Sequence, residues 1–360
     1  GSILDANGSG INVEETTSTA STTLSLRAGT RIGGSGGTAS STNDAALDLN
    51  VDTVAASSAT GIYLREVAPG VGITVDTASS VTVSIDGVVR SDFDSGTTGV
   101  PQTRLLGSLE DLTTSTDGPI KLVAESGTIT IEGGSDGVGV SADGTGDVLL
   151  EARGASSDVI VNATVTSGTG HVTLDADRDV DVSAAVTVTG GSGTIYVLSG
   201  RDTDIDAAVT TAAGDILLES GRDLSQTAGI TSTSGDIGLI AAEDVNQSAT
   251  GDVTTGSGDV LVEATSGSWT MDGDATITAG GSDVMGVAGQ DIVLGVIRVT
   301  DGVANRVALE ALLGSILDAN GSGINVEETT STASTTLSLR AGTRIGGSGG
   351  TASSTNDAAL

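Results

Sequence analysis

Apolar residues recur on two nested periods between Gly146 and residue 300. The short period is two. In GDILLES, from Gly214, Ile216 and Leu218 alternate with Leu217 and Glu219. Such alternation sends successive side chains to opposite faces and predicts a strand. The long period is set by the Gly-Asp step that opens this strand. Related segments are GDVLLEA from Gly146, GHVTLDA from Gly170, GTIYVLS from Gly193, GDIGLIA from Gly235 and GDVLVEA from Gly258, so the markers fall 24, 23, 21, 21 and 23 residues apart.

Aligned on the marker, the apolar positions form columns. Val172, Ile195, Ile216, Ile237 and Val260 make one, and Leu174, Val197, Leu218, Leu239 and Val262 the next. A second strand about ten residues on carries Val180, Ile205, Leu224, Val245 and Trp269. A third carries Val186, Val209, Ile230, Val253 and Ile277. Turn signals separate them, including Gly200-Arg201-Asp202, Gly221-Arg222-Asp223 and Gly280-Gly281. Three short strands per 21–24 residues predict one coil of a parallel β-helix, an all-β solenoid in which each strand pairs with its counterpart about 4.8 Å away. Gly and Asp at the corners are expected to supply positive φ. Alternation continues earlier, in Leu47–Val51, Ile62–Leu64 and Val81–Ile85, whereas 86–117, with Phe93, Pro101 and a Leu-rich patch from Leu105 to Leu112, fits no coil and reads as a loop or insertion.

A third period spans the chain. Residues 314–360 repeat residues 1–47 letter for letter. The chain therefore divides into 1–313, one full unit, and 314–360, the start of an identical next unit, as expected of a tandem array. At about 22 residues per coil a unit would hold about 14 coils and span roughly 65–70 Å.

Composition agrees with a narrow core. Aromatics make up 1% of the chain, yet 37% is hydrophobic, mostly Val, Ile, Leu and Ala. That share is too large and too regular for a disordered chain. Cysteine is absent, which excludes a disulfide framework and thiolate metal ligands. No apolar run approaches the roughly 20 residues of a membrane span. Fourteen basic residues face 47 acidic ones, for a net charge of −33, which argues against nucleic acid as a partner.

The run SILDANG, TTLSLRAGTRIGG and IYLREV, followed by GDILLESGRDLSQTAGITSTSGDIGLIAAEDV, resembles the repeats of filamentous-haemagglutinin-like giant bacterial surface proteins. The resemblance covers most of the chain, best over 1–85 and 140–300. It implies a long right-handed β-helix, secretion to the cell surface or beyond, and a structural or adhesive role. The partners it suggests are further copies of the chain and surface glycans. Asn-x-Ser/Thr sequons stand at Asn7, Asn162, Asn246 and Asn320.

Candidate chemistry is sparse. Asp175, Asp177, Asp179 and Asp181 alternate in DADRDVDV and resemble half of a calcium loop, though Val180 holds the glycine slot. On a single strand they would share one outer face. Asp202, Asp204 and Asp206 repeat the pattern one coil on, and Ca²⁺ is the candidate ion. The glycine-rich run from Gly133 to Asp147 lacks the order of a calcium-binding nonapeptide and reads as turn chemistry. Asp215, Asp236 and Asp259 should stack at a corner and fan outward. No catalytic set is visible: His171, the one histidine, sits where neighbouring coils carry Asp, and Lys121 stands alone. No cofactor is required. Leu149, Ile160, Tyr196, Leu217 and Leu261 lie between inward positions and are expected to form an exposed apolar stripe. The expectation is a structural filament protein, with an adhesin stalk and a carbohydrate-active β-helix enzyme as alternatives.

Overall fold

The computed structural model describes residues 1–7, 10–14, 21–34, 45–90, 98–300, 305–329 and 335–346, and the side chains of 86–102 lie outside that description. Its described elements are strands that coil into a parallel solenoid of three faces. In one regular coil, Val172–Ala176 lies on face 1, Val180–Val182 on face 2 and Val186–Val188 on face 3. Each pairs in parallel with its counterpart one coil on, Val172 with Ile195 and Val186 with Val209. The expected columns of face 1 and face 3 are the buried core. On face 2 the register differs by two residues. Val180 stacks on Thr203, and Ile205 stacks on Val182.

The corner glycines are required for a reason other than the expected one. Gly146, Gly170, Gly193, Gly214, Gly235 and Gly258 are absent from the positive-φ residues. A Cβ on Gly170, Gly214, Gly235 or Gly258 would instead run into the carbonyl oxygen of the marker glycine one coil below. Coils stacked about 4.8 Å apart bring corner backbones too close for any side chain. Buried hydroxyls close the same corner: Ser232 Oγ donates to Gly214 O at 2.9 Å, and Thr255 Oγ1 to Gly235 O at 2.9 Å.

The core also contains polar rungs. Gln226, Gln247 and Met271 share an inward column of face 2. Gln247 Nε2 donates to Gln226 Oε1 at 3.1 Å, and Trp269 Nε1 donates to Gln247 Oε1 at 2.8 Å. Buried amides of this kind must be fully partnered, and here identical rungs partner one another. Trp269, fully buried, fits because Gly286 stands opposite on face 1, in the column that otherwise carries Val262 and Leu309.

A two-stranded antiparallel ribbon leaves the solenoid, formed by Val81–Arg90 and Thr98–Leu106. Val81, Val83 and Ile85, which alternate as a coil strand would, therefore lie outside the core and about half exposed. Phe93 lies outside the described residues. Residues 109–117 rejoin the solenoid: Leu112–Thr114 is a face 3 strand pairing with Val140, and Leu112 is fully buried. The excursion thus runs from 81 to 106, and the end of the 86–117 segment belongs to a coil.

The two copies of the 47-residue string sit on different faces. Ile3, Ile32, Ile62, Ile120 and Val148 head a face 1 column that continues to Val307, eleven coils from Ile3. Ile316, the counterpart of Ile3, pairs with Ile292 on face 2. Leu337, the counterpart of Leu24, pairs with Val307 on face 1, whereas Leu24 pairs with Val54, itself paired with Val75 of face 2. The offset between the copies is eleven and one-third coils at Ile3 and eleven and two-thirds at Leu24, so one unit advances between eleven and twelve coils, about 54–56 Å at about 4.8 Å per coil. This is shorter than the composition-free estimate of about 14 coils because the early coils are long. Ile3 to Ile32 to Ile62 takes 29 and then 30 residues, and the coil from Ile62 to Ile120 carries the ribbon.

Candidate functional site

The outward positions of face 1 form one continuous column through Leu149, Thr173, Tyr196, Leu217, Gly238, Leu261, Met285 and Ala308. Leu149, Tyr196, Leu217 and Leu261 thus share one column, each only partly exposed, with Thr173 between Leu149 and Tyr196. Ile160 does not: it lies on face 2, where it stacks between Thr130 and Asp181. The turn between faces redirects it, and strand alternation alone does not record that turn.

Between Leu217 and Ala308 the stripe sinks into a groove of about 590 Å³. Gly238 lowers the floor where its neighbours carry leucine, and Leu217 leans over the gap. Met285, about half exposed, lines it one coil before Ala308. The next outward column alternates Leu198, Glu219, Ile240, Glu263, Val287 and Glu310. Glu219 accepts a hydrogen bond from the Tyr196 hydroxyl. Burial, then that bond, push the Tyr196 phenol up to about 12, so it remains a donor.

The other rim is an aspartate ladder. Asp236 N–H donates to Asp215 Oδ1 at 2.9 Å, Asp259 N–H to Asp236 Oδ1 at 2.8 Å, and Asp283 N–H to Asp259 Oδ1 at 2.9 Å. Arg306 N–H continues it onto Asp283 Oδ1 at 2.8 Å, and the Arg306 guanidinium holds the Asp283 carboxyl below its usual range. Each carboxylate caps a corner N–H that the strand ladder has not yet engaged, a charge-assisted bond that offsets stacking like charges. The aspartates therefore stack through N–H caps where simple fanning was expected. His171 takes one rung: its N–H donates to Asp147 Oδ1 at 2.8 Å, and its Nδ1 accepts the Thr194 N–H at 3.1 Å.

A second ladder runs along the corner between faces 1 and 2. Asp202 N–H donates to Asp179 Oδ1 at 3.1 Å, and Asp244 N–H to Asp223 Oδ1 at 3.1 Å. Arg178, Arg201 and Arg222 each pair with the aspartate one coil below and the one beside them. Burial would raise Asp179, but Arg201 and the Asp202 N–H hold it below its usual range.

This ladder separates the four aspartates of DADRDVDV. The chain turns at Asp177 and Arg178, so Asp175 points out from face 1 and Asp181 from face 2. Asp177 Oδ2 accepts the Gly154 N–H at 2.6 Å, Asp179 is held by Arg201, and Asp181 Oδ1 accepts from Ser183 Oγ at 2.8 Å. They form no common ligand set.

Among the described residues, the acidic side chains that do converge are Glu110, Asp111 and Asp136, whose ligand oxygens lie within 4.8 Å of one another. Glu110 and Asp111 directly precede the face 3 strand Leu112–Thr114. Asp136 lies in the turn between Ile129–Ile131 of face 2 and Val138–Ala142 of face 3. Glu110 accepts the Ser135 N–H at 2.9 Å, and Asp136 the Val138 N–H at 2.9 Å. Asp111 is buried, and its Oδ1 has no hydrogen-bond partner. Burial first, then the charges of Asp136 and Glu110, push its carboxyl up to about 6. The spacing of 25 residues between Asp111 and Asp136, with strands of all three faces between them, leaves no sequence signal. The Gly133–Asp147 run was visible only as turn chemistry. Compared with protein-family models, curated proteins and solved structures, the chain finds no match.

Proposed function

We propose that the protein is a structural component of an extracellular or bacterial cell-surface filament, built from tandem β-solenoid units of the filamentous-haemagglutinin-like kind. The observation that carries this reading is the junction between units. Strands Ile316–Asp318, Val326–Glu328 and Thr336–Ala341 of the second copy continue the parallel ladders of Ile292–Leu294, Val296–Thr300 and Arg306–Ala311. Unit adds to unit by the same pairing that adds coil to coil, so cohesion accumulates along the axis and sheet edges are covered. Electron microscopy of chains with one, two and three units tests it. The expectation is a thin rod lengthening by about 54–56 Å per added unit. Particles that grow in all directions would overturn the reading.

The groove on face 1 favours a further role in lateral association of filaments or attachment to a surface. An apolar strip flanked by the aspartate ladder on one side and by Glu219, Glu263 and Glu310 on the other is a contact surface that stays repulsive until its charge is screened. With a net charge of −33, rods should bundle when divalent cations or acid reduce that charge. Turbidity should rise with Ca²⁺ and fall with chelator in the parent chain, and much less in a Leu261→Asp, Met285→Asp variant. Equal turbidity in both would remove the groove from the contact.

A further inference from the structure

We propose that Glu110, Asp111 and Asp136 bind a calcium ion, which clasps the return from the ribbon to the turn between faces 2 and 3. Three carboxylates converge within 4.8 Å, and among the described residues none of them has an arginine or lysine partner. Elsewhere the molecule handles stacked carboxylates with N–H caps or arginines, as at Asp202 and Asp236. Asp111 differs. It is 5% exposed, and its Oδ1 is buried without a partner. A buried carboxylate oxygen left unbonded carries a full desolvation penalty, which a bound cation would remove.

The donor set fits calcium. Carboxylates supply hard oxygen ligands, and Ca²⁺ accepts six to eight of them in irregular geometry. Glu110 keeps free lone pairs beyond its bonds to Ser135, and carbonyls and water can complete the shell. The surrounding turn is built around the acidic group: a Cβ at Gly134 would collide with the Glu110 carboxylate. The ion would tie the start of Leu112–Thr114 to the turn before Val138–Ala142, two segments that already pair through Leu112 and Val140. The proposal is independent of filament formation, since it concerns two adjacent coils of one unit.

Calorimetric titration of the full chain with CaCl₂ at constant ionic strength tests it. One saturable site with Kd roughly 10⁻⁴–10⁻³ M is expected, in the range of extracellular calcium modules. Thermal melting should shift upward with Ca²⁺ relative to chelator. Asp111→Asn removes the buried charge and tolerates the positive φ of 65° at this position. Asp136→Asn is exposed and leaves packing untouched. Both variants should lose the saturable site and the shift, whereas Asp175→Asn, which removes an equal charge elsewhere, should keep them. Wild type without a saturable site, or binding unchanged in both Asp111→Asn and Asp136→Asn, would overturn the proposal.

Discussion

Residue by residue, the narrow core sets steep penalties for size and charge. Trp269 occupies space that Gly286 leaves on the opposite face. Gly286→Leu should therefore unfold or destabilise the chain by about 1–3 kcal/mol or more, because the ring cannot retreat from a closed column. Trp269→Ala should cost about 3–5 kcal/mol, and it also orphans Gln247 Oε1. Denaturant melts would measure both, and a cost below about 0.5 kcal/mol at either site would contradict this packing. Buried carboxylates set the pH response. Burial raises Glu66 from 4.5 to about 7, despite N–H bonds from Ala68 and Val51, and Asp111 from 3.8 to about 6. A raised folded-state value means that the native state holds its proton more tightly, so stability falls as pH rises from the unfolded value through the folded one. Asp179 and Asp283, held low, work in the opposite sense and lose their contribution as pH falls below 3.8. In chelator, the melting temperature should peak near about pH 4, where these windows meet, and fall toward pH 7. A melting temperature that climbs steadily from pH 5 to 7 would rule this out.

Among the elements, the corners do as much as the strands. Each strand is only three to six residues long in the regular coils, and its neighbours must be placed by the turns. Gly235→Ala should be more damaging than a usual glycine-to-alanine change in a strand, since its Cβ would meet a carbonyl oxygen of the coil below. Asp236 caps the Asp259 N–H, and losing such a cap costs typically about 1 kcal/mol. Asp236→Asn, which keeps an acceptor, should be milder than Asp236→Ala. Amide exchange at Asp259 would separate the two, with faster exchange expected only in the alanine variant. The ribbon shows how much a turn decides. Val81, Val83 and Ile85 have the same alternation as core strands, but they pair antiparallel with Leu106, Arg104 and Gln102 outside the core.

For the whole molecule, the mismatch between unit and coil matters most. The two copies are offset by eleven and one-third coils at Ile3 and by eleven and two-thirds at Leu24, so identical strings meet different faces. The absence of cysteine makes this directly testable. Ala308 and Ser338 are paired outward positions on face 1. Ala308→Cys with Ser338→Cys should form an intramolecular disulfide under mild oxidation, since adjacent parallel strands satisfy its geometry. Were the copies in phase, Ser338 would sit with faces 2 and 3, as Ser25 does beside Ala55, and no bridge could form.

The sequence by itself determined the solenoid, its regular coil length between Gly146 and residue 300, and the columns of Val, Ile and Leu that fill it. These depend on spacing alone, because every coil repeats the same local environment. It also marked Leu149, Tyr196, Leu217 and Leu261 as outward and apolar. Tertiary structure decided whatever depends on the angle of a turn or the meeting of distant coils. It moved Ile160 to another face and divided the aspartates of DADRDVDV between two. It made the corner glycines a matter of backbone contact and brought Glu110 and Asp111 to Asp136. It also set two identical strings on different faces, because the phase of a solenoid is the sum of all its coils and no single stretch of sequence contains it.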